Sequence, residues 1–144
     1  MAVAGKKKAL IDGLNEDLAN EYSAIIMYRC YASMVKGPYR QELRTFFSSE
    51  IPDELAHAQL LADKIVALGS TPVTKPKPVK MSADAKQMLK NALLAEKDTI
   101  GRYVKRRKQA EETGAYGLAV DLDTLIADET KHRDELELML EKWD

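Results

Sequence analysis

Apolar residues recur along most of this chain at every third or fourth position, the spacing of a helix face, with no convincing period-two alternation. Breakers cut the pattern into four long segments. The first predicted helix runs from about Lys7 to Lys36 and stops at "GPY", where Gly37 follows the helix and Pro38 can open the next. The second continues to about Leu68 and is closed by Gly69. Ser82 is the expected N-cap of the third, which reaches about Glu112. "TGAYG" separates it from the fourth, which continues to about Lys142. Pro52 falls inside the second helix, where it removes a backbone donor and is expected to kink it.

The connections fix the topology. The first two helices, and the last two, are joined so closely that each pair must form an antiparallel hairpin. Between the hairpins lies "STPVTKPKPVKM", rich in proline and without helical periodicity. The stretch from Gly69 to Met81 spans roughly 40 Å in an extended polyproline-like path. That is about the length of a 27-residue helix. The expected fold is therefore all-α, one domain over residues 1–144: a four-helix bundle with one long crossover between the second and third helices.

The core stripes are interrupted in an unusual way. The first helix reads Leu14, Leu18, Glu21, Ile25, Tyr28, Ala32, Val35, and the fourth reads Leu118, Leu122, Leu125, Glu129, His132, Leu136, Met139. Glutamate stands where leucine belongs, and Glu54 and Glu96 interrupt their own helices likewise. The two halves also match at an offset of 75 residues. Glu21 answers to Glu96, Tyr28 to Tyr103, Asp53 to Asp128, Glu54 to Glu129 and His57 to His132, with Leu14, Leu18 and Ile51 answering to Leu89, Leu93 and Ile126. "IPDELAH" and "IADETKH" are the most visible copies. All four glutamates fall at one depth, so four like charges would meet in the core. That arrangement is prohibitive unless neutralised. Two divalent cations balance four carboxylates, and two neutral imidazoles, each three residues from a glutamate, complete the donor set. Carboxylate with imidazole suits iron or manganese better than calcium or thiolate-seeking metals.

Composition narrows the setting. A net charge of −1 gives no general attraction to nucleic acid or acidic membranes, and no apolar run approaches the ~20 residues of a membrane span. The lysines of "MAVAGKKKALIDG" have no apolar stretch behind them, so a secretory signal is not expected. The single cysteine, Cys30, excludes an internal disulfide and a cysteine-only metal site. The default expectation is a cytoplasmic protein.

In "NEYSAIIMYR", "DELAH", "EKDTIGRY" and "DETKH" the chain resembles the ferritin-like superfamily, and bacterioferritin in particular. The resemblance covers essentially the whole chain, crossover included. It implies a ferroxidase centre within each subunit, with two iron ions oxidised by oxygen or hydrogen peroxide and ferric mineral collecting in a hollow shell. By that likeness Glu21 and His57 would hold one iron, Glu96 and His132 the other, and Glu54 and Glu129 would bridge them. Tyr28 would hydrogen-bond to the centre or donate an electron. Asp53 and Asp128 would fix the imidazoles across the pseudo-twofold axis. The alternative reading is a di-iron peroxidase or oxygenase without mineral storage. A rubrerythrin-type peroxidase, however, needs a cysteine-rich electron-transfer module that one cysteine cannot supply.

Two departures from bacterioferritin matter. Its haem methionine directly follows the glutamate of the second helix. That position is Leu55 here, so haem is not expected at the usual site. The chain also stops at Trp143 and Asp144, without the short fifth helix, so a homo-oligomeric shell of dimers smaller than the full cage, twelve subunits, is expected. Independently, Tyr22, Ile26, Met27, Cys30, Tyr31 and Met34 give the first helix a second apolar face, as a dimer interface would require. "GKKK" at Gly5 and "KRRKQ" at Lys105 read as solvated surfaces, and nucleic acid is not an expected partner.

Overall fold

The computed structural model describes residues 2–143, except for the side chains of 2 and 3. Asp144, at the expected end of the chain, lies outside the described residues. Among the described residues there are four helices: α1 (Ala2–Met34), α2 (Arg40–Ala67), α3 (Ala85–Glu112) and α4 (Tyr116–Leu140). The most extensive packing is within the hairpins α1–α2 and α3–α4, and α1 also packs on α3. No helix among the described residues is long and apolar enough to cross a membrane.

Several boundaries differ from expectation, each for a local reason. α1 begins before Lys7, since "AVAGKKK" holds no proline and Gly5 alone does not break the helix. α2 starts at Arg40 rather than Pro38, because Gly37 (φ 109°) and the two residues after it form a turn closed by the Arg40 amide on the Gly37 carbonyl. Asp84, not Ser82, caps α3: its carboxylate accepts from the Gln87 amide at 2.9 Å, while the Ser82 hydroxyl accepts from the Asp84 amide. α4 stops at Leu140 rather than Lys142. α2 continues on both sides of Pro52, which lies on its exposed face.

The crossover is laced to α1 at regular intervals. Asn15 clamps it from both sides, accepting from the Val73 amide at 2.9 Å and donating to the Thr71 carbonyl at 3.3 Å. Two turns on, Ser23 donates to the Lys77 carbonyl at 2.6 Å. Two turns further, the Tyr31 hydroxyl donates to the Lys80 carbonyl. A proline-rich segment cannot complete a backbone ladder, so α1 side chains supply most of its partners, beside one backbone bond from the Lys77 amide to the Ala19 carbonyl at 3.3 Å. This docking corrects part of the expected second apolar face. Met27 and Tyr31 are buried within the chain, whereas Ile26 and Met34 remain exposed.

The apolar core is split in two. One cluster gathers around Leu10, Leu14, Leu61, Ile65, Leu118 and Leu122, and the other around Tyr31, Val35, Leu43, Phe47, Met88 and Leu136. Between them runs a layer of buried carboxylates and imidazoles. Toward one end α1 and α3 are locked by a further buried pair, in which Arg106 Nε donates to Asp17 Oδ2 at 2.8 Å and Nη2 to Oδ1 at 3.1 Å. Arg106 was expected on a solvated basic face, yet it is only 3% exposed. Gly13 makes room for it, since a Cβ there would stand 1.9 Å from Arg106 Nη1.

Candidate metal centre

The buried polar layer draws on all four helices. α1 supplies Glu21, α2 supplies Glu50, Glu54 and His57, α3 supplies Glu96, and α4 supplies Glu129 and His132. All six residues expected as metal ligands meet here, each at most 7% exposed. They form two groups whose donor atoms lie within 4.8 Å of one another: Glu21, Glu54, His57 and Glu129, and Glu50, Glu54, Glu96 and His132. Glu54 belongs to both. Glu129 also faces both imidazoles, with Oε1 2.8 Å from His57 Nδ1 and Oε2 3.8 Å from His132 Nδ1.

Each imidazole is held from behind. His57 Nε2 lies 3.1 Å from Asp128 Oδ2, and His132 Nε2 lies 2.9 Å from Asp53 Oδ2. The aspartates thus cross the pseudo-twofold axis, each orienting the histidine of the other hairpin and leaving Nδ1 directed inward. The tyrosines cross over too. The Tyr28 hydroxyl donates to Glu96 Oε1 at 2.6 Å, and the Tyr103 hydroxyl donates to Glu21 Oε1. Sequence reasoning placed Tyr28 at the site but used Tyr103 only as its counterpart in the repeat.

Glu50 was missed. Its counterpart in the second half is Leu125, so the repeat that exposed the other six hides it. The available signal was its place one helical turn before Glu54 on the α2 core stripe, between Phe47 and Glu54. Its Oε2 lies 2.9 Å from His132 Nδ1.

The electrostatics of the layer call for neutralisation, by protons or by a bound cation. Burial pushes the Glu21 carboxyl up, and the nearby Glu129 charge adds to this against hydrogen bonding from Tyr103. Burial likewise pushes Glu54 well up, reinforced by Glu21. Burial alone would lower the His57 imidazole, but Glu129, Glu21 and Asp128 outweigh it and hold it at about 9. His132 is held at about 11 in the same way, chiefly by Glu50 and Glu54. Without metal, protons must do the neutralising. The hydrogen-bond inventory points the same way. Among the described residues, Oε2 of Glu21, Glu50 and Glu96, Oε1 of Glu54 and Glu129, and Nδ1 of both histidines are buried and converge on one another, Glu129 Oε1 2.8 Å from His57 Nδ1 and Glu50 Oε2 2.9 Å from His132 Nδ1, without well-directed hydrogen bonds. That is one such atom from every residue of the layer. Buried polar atoms normally find partners, and a convergent set of lone pairs fits metal ions. The carboxylate–imidazole donors suit iron.

The comparisons with known proteins agree with this geometry. Residues 11–144 match the ferritin-like domain family. A ferritin-like, diiron-carboxylate protein of Bacillus anthracis is 52% identical in sequence, with a TM-score of 0.92 over 94% of this chain and 97% of its own. A bacterioferritin-related dodecameric thioferritin of Bacteroides fragilis is 28% identical, with a TM-score of 0.84 over 94% of this chain and 87% of its own. The bacterioferritin of Mycobacterium bovis is 29% identical over 132 residues, which cover 91% of this chain and 83% of that protein. The family match over residues 11–144 and the 52%-identical diiron-carboxylate structure agree with the bundle, its crossover and its buried carboxylate–histidine layer: the chain belongs to the ferritin-like family.

Proposed function

We propose that this protein is a ferroxidase that oxidises ferrous iron at an intrasubunit di-iron centre. The observation that carries the reading is the convergence of seven buried donor residues in two groups that share Glu54, with donor atoms within 4.8 Å of one another in each group. Two Fe(II) ions are the substrates. Glu21 and His57 hold one, Glu96 and His132 hold the other, and Glu54 and Glu129 reach both, with Glu50 a further donor on the His132 side. Oxygen or hydrogen peroxide accepts one electron from each ion. The chain's own residues fix the two ions at one depth, balance their charge and exclude water. Asp53 and Asp128 keep the imidazoles turned inward, and Tyr28 and Tyr103 hold Glu96 and Glu21 in place.

Iron storage in a hollow homo-oligomer of dimers, with twelve subunits, extends this reading. The dodecameric relative supports the number, and Ile26, Met34 and Leu55, exposed on α1 and α2, support a dimer face. With Leu55 in the position of the haem methionine, no haem is bound there. Stopped-flow oxidation of Fe(II) combined with light scattering tests both parts. Rapid oxidation of two ions per chain, followed by uptake of many more into a particle of constant mass, is the expected result. Oxidation confined to two ions in a dimer would remove storage, and no oxidation would remove the ferroxidase.

A further inference from the structure

The repeat that builds the metal centre is broken beside it in two places, and both breaks shift charge in the same direction. The first is Glu50. Four carboxylates surround His132 Nδ1: Glu50 at 2.9 Å, Glu54 at 3.4 Å, Glu96 at 3.6 Å and Glu129 at 3.8 Å. Among the described residues only two stand as near to His57 Nδ1, Glu129 at 2.8 Å and Glu21 at 3.9 Å. The counterpart of Glu50 is Leu125, so the His57 half has no matching charge.

The second break lies one helical turn from Glu21. Asp17 precedes Glu21 by four residues on α1 and meets two arginines of α3, Arg106 Nε at 2.8 Å and Arg102 Nε at 3.7 Å. These arginines flank Tyr103, whose hydroxyl donates to Glu21. Arginine does not lose its charge, so two guanidinium groups against one carboxylate leave a positive excess on the Glu21 side. At the matching positions of the other half, Met27, Tyr31 and Ala92 are neutral. Inside a protein such charges are felt over a helical turn or two. The extra carboxylate draws a cation toward the His132 half, and the extra guanidinium repels one from the His57 half.

We propose that this polarity orders the loading of the centre. The first ferrous ion is held at the His132 half, and the His57 half takes the second, which is held more weakly and exchanges more readily. The two halves thus divide the work of retaining one ion and admitting the next. This ordering rests on the di-iron reading above.

Two cations in one layer repel each other, so a tighter first step would be seen even in matched halves. The observable is therefore which half fills first. Co(II) is the probe, read by visible absorption in the absence of oxidant. Glu21→Ala keeps the His132 half and Glu96→Ala keeps the His57 half, so their single-ion spectra serve as references. At one Co(II) per chain the wild type should give the spectrum of Glu21→Ala, with the His132 half favoured by about tenfold or more. Glu50→Gln should bring the halves to within about threefold of each other by weakening the first ion. Arg102→Met gives α3 the residue of its α1 counterpart and leaves the Asp17–Arg106 pair closed. It should move occupancy toward the His57 half while tightening the second ion by about threefold, whereas a damaged fold would loosen it. Arg102 is only partly buried, so this variant decides the matter should Glu50→Gln fail to fold. An equal mixture, or the spectrum of Glu96→Ala, at one Co(II) per chain would overturn the ordering and leave a two-ion centre intact. Folded variants that keep the wild-type distribution would overturn its electrostatic origin. A wild type that binds no buried Co(II) would overturn the di-iron reading and the ordering with it.

Discussion

The α1–α2 hairpin and the α3–α4 hairpin are two versions of one unit, and they agree and disagree at instructive places. They agree wherever a donor faces the centre: Glu21 with Glu96, Glu54 with Glu129, His57 with His132, Asp53 with Asp128, Tyr28 with Tyr103. They disagree at Glu50, opposed by Leu125, and at Tyr31, opposed by Arg106. Tyr31 accepts from buried Asn91 and donates to the crossover, while Arg106 grips Asp17 in the other half of the core. Two ions of equal charge demand matched donors. The packing beyond them has no such requirement, and the single crossover imposes its own asymmetry.

The largest expected effect comes from breaking the part the halves share. Glu54→Ala removes the residue common to both donor groups, and ferrous oxidation should fall by about a hundredfold or more. Near-normal oxidation in that variant would contradict the assignment of Glu54.

Next comes the asymmetry in packing. Arg106→Ala leaves buried Asp17 facing only the more distant Arg102 Nε at 3.7 Å, so it should cost about 3 kcal/mol in urea unfolding. Tyr31→Phe loses only neutral hydrogen bonds and should cost about 1 kcal/mol. Equal costs would mean that the two ends of the bundle are held alike.

Much of this was legible in the sequence because the fold repeats itself. Four helices, the crossover and six donors followed from heptad-like stripes and one offset. What escaped notice lacked a counterpart. Glu50 is paired with a leucine in the repeat, and Arg106 sits in "KRRK", where neighbours of like charge suggest a solvated face. Only the three-dimensional fit of Asp17, Gly13 and Arg106 reveals its burial. Met27 and Tyr31 seemed to need a partner subunit because sequence periodicity cannot show where a proline-rich crossover lies.

Acid–base behaviour sharpens the comparison between the metal-free and loaded protein. An unfolded imidazole titrates near 6.5, whereas His57 and His132 are held at about 9 and about 11. Their contribution to stability is complete below pH 6.5 and fades as pH rises through 9 and then 11. The raised carboxyls of Glu21 and Glu54 favour the protonated form and act in the same direction. Chelator-treated protein should therefore melt lower at pH 9 than at pH 7, and Co(II) loading should flatten that slope. A metal-free melting temperature that rises over this range would contradict the charge balance described above.

The smallest effect should follow from making the halves alike. Glu50→Leu gives the first half the residue of the second. It should weaken the ion on the His132 side by about tenfold and spare the ion on the His57 side. Equal weakening of both would place Glu50 in the shared part of the centre.

The most direct measurement of the central claim is an anaerobic Co(II) titration followed by visible absorption, comparing wild type with Glu21→Ala, Glu96→Ala and Glu54→Ala. The account predicts two ions per chain in the wild type, one tight ion in each of the first two variants, and none in the third. A wild type that binds fewer than two buried ions, or a Glu54→Ala variant that still binds two, would contradict it.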